Sequence, residues 1–392
     1  MKQKVLFWVL LTVLLASFHL IAAFAAETQG FEPDPEGELE KLNLERVEKE
    51  AARFNETIEN LVPGISFRQL VVDILHGEVK LTPTAVMGIL GHFFWGEVWG
   101  GGVLLGKILI LAIILAILQQ ISTAFERAST SQVAFYACFL VLTGTVVAAL
   151  GLALNTGREA VDGMVSFVQA LMPVLLTLLA AAGGLTTAAL LHPSILATLA
   201  VIGTLIKNLV LPLITFSIIL SLIDRLSEGF EVSRLSTLFR NLGLALLGVL
   251  STVFLGVLTV QGVAGAASAG VALRTAKYAT GAFVPVVGGM LADAFEAVVG
   301  TSLLLKSAVG IAGMVLIFFA VAFPALKICA LSLVFKLAGA MVQPLEGRVA
   351  ASLDGVGNGL LGVFAVVATV GLLCFFAVAI VVGLGYLTTM LR

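Results

Sequence analysis

The chain has 392 residues, 59% of them hydrophobic and 12% charged, whereas an ordinary soluble domain carries roughly 25% charged residues. A soluble globular fold is thereby excluded, and the composition is that of a polytopic membrane protein. A net charge of −2 gives no reason to expect nucleic-acid binding, which needs a basic face for the phosphate backbone.

Residues 1–26 open with Lys2 and Lys4, continue through the apolar run Val5 to Leu15 and reach Ala23-Phe24-Ala25. That order matches a secretory signal peptide with a small-x-small cleavage site, and cleavage is expected after about Ala25. An uncleaved first anchor is the competing reading, because the apolar stretch extends to Phe24. From Glu27 the composition turns acidic and turn-rich. Leu39, Leu42, Val47, Ala51, Phe54 and Ile58 then recur at spacings of three to five. This predicts a small extracytoplasmic helical region with one sticky face, which either packs on its own domain or docks a partner. The following segment carries Phe67, Phe93, Phe94, Trp95 and Trp99, aromatics that favour the membrane interface, so 27–100 ends in an interfacial segment.

The multi-pass domain is expected over 101–392. Candidate spans are Val103 to Ile121, Val133 to Leu154, Met164 to Ala182, Leu185 to Ile206, Asn208 to Ile223, Leu242 to Val260, Leu303 to Leu326, Ile328 to Met341 and Leu360 to Leu387. Some fall short of a full crossing, and about seven to ten spans are predicted. Pro173, Pro212, Pro285 and Pro324 are candidate helix-breaking positions, giving broken or re-entrant segments. The predicted fold is an all-α helical bundle. An internal duplication is worth testing, because Pro173 and Pro212 align with Pro285 and Pro324 at one offset of 112 residues. The candidate repeats are 164–256 and 276–370, arranged like the paired halves of transporters. With the N-terminal region outside, five crossings put Arg225, Arg234 and Arg240 in the cytoplasm, as the positive-inside rule requires.

The stretch from Gln261 to Lys306 combines a small-residue run with Arg274, Lys277, Asp293, Glu296 and Lys306. Arg274 and Lys277 stand three apart, as do Asp293 and Glu296, so each pair shares one helical face. These five residues are the candidate polar pathway; the plainer account is an ion-pair cluster or a snorkelling helix. Lys207, Lys327 and Lys336 raise the same question of pathway against ion pair or snorkelling, and lysines near span ends usually reach the headgroups. Gly101 to Lys107 imitates a phosphate-binding loop, but Ile108 stands where a hydroxyl is required. His19, His76, His92 and His192, with Cys138, Cys329 and Cys374, have no metal-ligand spacing. No catalytic residue, cofactor site or metal site is expected, and the chain does not read as an enzyme.

Several runs together resemble the stage III sporulation protein AE family of endospore-forming bacteria. They are Leu191-His192-Pro193, Phe239-Arg240-Asn241-Leu242, Val260-Gln261-Gly262, Leu273-Arg274-Thr275-Ala276-Lys277-Tyr278, Phe283-Val284-Pro285-Val286-Val287-Gly288, Phe323-Pro324-Ala325-Leu326-Lys327 and Gln343-Pro344-Leu345. The resemblance implies a multi-pass protein of the mother-cell membrane around the forespore. It further implies a subunit of the channel or secretion-like complex that sustains late forespore gene expression. The partners it implies are the other stage III A-group proteins, among them an ATPase and ring-forming subunits, and the forespore stage II protein Q; a homo-oligomer is also open. It implies no catalytic residue. The alternative is a secondary transporter with its site in 261–306.

Overall fold

The structure, a computed structural model, describes residues 44–59, 66–77, 82–124, 129–223, 232–283 and 288–390, with isolated positions from 37 to 42. The expected signal peptide, Pro285, and the side chains of Arg274, Lys277, Asp293 and Glu296 lie outside the described residues. All regular structure among the described residues is helical. That is what lipid requires of a single spanning segment, since only a helix satisfies every backbone polar group within itself.

Two short helices form the head, α1 (Glu45–Glu59) and α2 (Phe67–Leu75). Their apolar spacing acts as the sequence predicts. Leu44, Val47 and Ala51 turn inward from α1, while Phe67, Leu70, Val71 and Ile74 turn inward from α2. Ser66 caps α2 by accepting the Gln69 amide at 3.2 Å, satisfying one of the orphan donors of the first turn. The Arg68–Glu48 ion pair at 3.2 Å ties the two helices together. The sticky face is covered by the chain's own helices, with Phe67 meeting Phe167 edge-on at 6.2 Å.

The remaining elements are α3 (Pro83–Gly100), α4 (Gly102–Ala124), α5 (Ser129–Ala181), α6 (Leu185–Leu205), a π-helical turn (Ile206–Val210), α7 (Leu211–Ile223), α8 (Ser233–Phe283), α9 (Gly288–Val342) and α10 (Gly347–Met390). Together they carry six stretches long and apolar enough to cross a membrane. The expected seven to ten spans merge because several run on as single helices. Val133 to Leu154 and Met164 to Ala182 share α5, and Leu303 to Leu326 and Ile328 to Met341 share α9. The prolines expected to break them do not. Pro173 lies inside α5 and Pro324 inside α9, and each removes one backbone bond without ending the helix, as neighbouring helices in a bundle permit. Pro212 does mark a change of register. It follows the π-helical turn directly, where the wider turn moves the carbonyls that a proline ring would otherwise strike. In the segment expected to be interfacial, Phe67 and Phe93 pack inward, the latter on Phe323 at 5.0 Å, while Trp95 and Trp99 are exposed.

At the centre stands the antiparallel hairpin of α9 and α10, with α5 against both. Gly310, Gly313 and Gly371 make this packing tight: a Cβ on them would land on Val382, Leu171 and Val321 respectively. Around this centre α1 and α2 cover α5 and α9, while α6 and α8 pack together on the side of α5 and α10.

A charged cleft across the bundle

α5 is 53 residues long, about 80 Å at the helical rise, whereas the hydrocarbon layer is about 30 Å thick. Its apolar course is interrupted once, where Arg158, Glu159 and Asp162 fall between the two segments that the sequence suggests as separate spans. The interruption is therefore a polar level in the middle of the bundle, where the sequence suggests a loop.

Other charges gather at that level. Asp162 accepts from the Lys207 ammonium at 2.6 Å. The π-helical turn carries Lys207, and inserting one extra residue into a helix re-aims side chains, which is why such turns recur at functional positions. Both partners are about half exposed, 42% for Lys207 and 52% for Asp162. A water-screened pair of this kind contributes about 1 kcal/mol or less, so its role is not chiefly one of stability. The pair borders a cavity of about 260 Å³ that Ser166, Gln169, Thr204 and Asn208 also line. A larger opening of about 530 Å³ adjoins it through the shared Asp162 and Ser166, and collects Arg53, Glu97, Glu159 and Lys327. Lys327 faces Glu97 across 4.0 Å. Phe93, Phe319 and Phe323 form an apolar wall of the same opening.

The two openings form one mixed-sign cleft from the head helix α1 to α6. Three bases, Arg53, Lys207 and Lys327, share it with three acids, Glu97, Glu159 and Asp162, a mixed lining suited to holding water and passing polar groups. Among the described residues, no group of three or more His, Cys, Asp or Glu is arranged so that it could hold a metal ion.

Of the predicted pathway residues, only the Lys306 side chain is described. It is fully buried in the central packing, donating to the Val381 carbonyl at 3.3 Å. Since α9 is continuous from Gly288, Lys306 stands about 15 Å beyond Glu296 along the axis. The other lysines that raise the same question are engaged: Lys207 and Lys327 line the cleft, and Lys336 meets Asp354 at 3.2 Å and Asn358 at 2.7 Å. Gly101 to Lys107 runs from the α3–α4 junction into α4, so no phosphate loop exists there. The signal for the cleft was present in the sequence as the Arg158-to-Asp162 interruption, hidden by its resemblance to a connection between spans.

Known proteins match most of the chain. The family model described as stage III sporulation protein AE matches residues 65–385. Stage III sporulation protein AE of Bacillus subtilis (strain 168) is 39% identical over 323 residues, covering 82% of this chain and 81% of the relative. No solved structure matches. With a family model matching most of the chain and a relative of this identity and coverage, the chain belongs to the stage III sporulation protein AE family.

Proposed function

We propose that this sporulation protein is a membrane subunit of the channel or secretion-like complex between mother cell and forespore, and that its cleft lines the polar route. The observation that carries this is a charged, solvent-accessible cleft through the middle of helices otherwise apolar enough for lipid. Ionisable groups at such depth are costly and mark pathways by default. The subunit sits in the mother-cell membrane with its head outside the cytoplasm, and works with the other stage III A-group proteins, including their ATPase and ring-forming members, and with the forespore stage II protein Q. Arg274, Lys277, Asp293 and Glu296 are assigned to the same route on their sequence pattern alone, two pairs of ionisable groups each three residues apart.

The test replaces charges without changing shape. Glu159→Gln, Asp162→Asn and Lys327→Met are each expected to lower the yield of heat-resistant spores at unchanged levels of membrane-inserted protein. Spore yield that falls only in step with protein level would reduce the cleft to a packing feature. Solute uptake by the purified chain alone in proteoliposomes would favour the secondary transporter.

A further inference from the structure

We propose that at one height in the bundle this chain meets water on its α1–α2 flank and lipid on its α6–α8 flank, which makes it a wall element of an aqueous conduit. The inference deepens the channel reading and rests on it.

Heights are fixed by contacts. A Cβ on Gly203 of α6 would lie 3.2 Å from Val165 of α5, and Val165 lines the same cavity as Asp162 and Lys207. Asp162 also lines the opening that Arg53 of α1 borders. α8 runs antiparallel to α6 and α7, with Ser194 hydrogen-bonded to Gln261 and Gly243 set against Ile214. Val249 and Val253 of α8 therefore stand near the height of Gly203, and so near that of the charged cleft.

The two flanks at this height differ in kind. On one, Arg53 of α1, which borders the opening with Asp162, is exposed, as is Arg68 of α2, next to the Phe67 that meets Phe167 of α5. On the other, Val201, Leu205, Val249 and Val253 are exposed across two adjacent helices. The head helices pack on α5 and α9, whereas α6 and α8 pack against each other and on α5 and α10, so the flanks face apart. Cations in hydrocarbon and a wide Val/Leu face in water are both unfavourable. A chain standing between the two solvents satisfies both flanks.

The experiment uses the full chain in lipid vesicles, with Cys138→Ala and Cys329→Ala, and with Cys374 left in its buried place. Glu159→Cys and Arg53→Cys probe one flank; Val201→Cys and Val253→Cys probe the other. Two sites per flank keep the comparison readable if one variant misfolds. A membrane-impermeant maleimide, applied from both sides, is expected to label the first pair at least about tenfold faster, since only a water-exposed thiolate reacts. A permeant fluorescent maleimide on the second pair is expected to be quenched by spin-labelled lipid. Equal aqueous labelling of both flanks would put this height outside the bilayer and overturn the proposal. Lipid quenching on both flanks would overturn it too. Neither result depends on spore yield, so either would leave the role of the cleft in sporulation to its own test.

Discussion

Thr84–Ile121 and Gly347–Leu384 are each 38 residues long and nearly equal in hydropathy, yet in the most apolar 18-residue window of the first 17% of the residues are buried within the protein, and in that of the second 72%. Hydropathy says that a segment avoids water; it does not say whether lipid or protein replaces it. The placement of glycine separates the two. In the central hairpin, Gly310 and Gly371 stand where a neighbour occupies the space of a side chain, whereas a Cβ on Gly88, Gly91, Gly96 or Gly100 of α3 would meet nothing within 4 Å. The same residue type is a packing device in one region and an open surface in the other.

The sharpest way to break this contrast is a matched pair of substitutions. Gly371→Val drives two methyls into Val321 and is expected to destabilise the detergent-solubilised protein by about 2 to 3 kcal/mol, in the range of overpacked cores. Gly91→Val has open space and is expected to stay within about 0.5 kcal/mol of the parent. Thermal unfolding followed by circular dichroism reads both. Similar losses at the two positions would mean that the described packing does not govern stability.

The next test concerns the fully buried cation of the hairpin. Lys306 has one described acceptor, the Val381 carbonyl, for an ammonium with three donors. Desolvating such a group is costly, and an apolar side chain of similar length relieves that cost. Lys306→Met is therefore expected to leave stability unchanged or raise it by about 1 to 2 kcal/mol. A clear fall in the unfolding midpoint would show that the charge has a partner that holds the hairpin together.

Much of the fold was legible because lipid writes its requirement into composition: the all-α class, the apolar helices and the inward face of Val47 and Ala51 all follow from it. Helix continuity was not. Pro173 and Pro324 carry the local signature of a break, and only the tertiary setting lets the helix pass through them. For the same reason Arg158, Glu159 and Asp162 read as a connection. The gathering of Glu159 and Asp162 with Lys207, Lys327 and Arg53 joins segments far apart in sequence, which periodicity along one helix does not report. The family resemblance, by contrast, rests on short ordered runs and was recoverable from residues alone.

The smallest expected effect gives the finest probe of the outer region. Gly91 lies inside α3, where glycine costs about 0.5 to 1 kcal/mol relative to alanine through its backbone freedom. One methyl there touches nothing within 4 Å, so no packing term opposes the gain. Gly91→Ala is expected to raise the stability of the isolated chain by up to about 1 kcal/mol. The equivalent change at Gly313, where a Cβ would land on Leu171, is expected to lower it despite the same gain in helix propensity. Opposite signs from one chemical change at two glycines would isolate packing from propensity. A loss at Gly91 would mean that another surface already lies against α3.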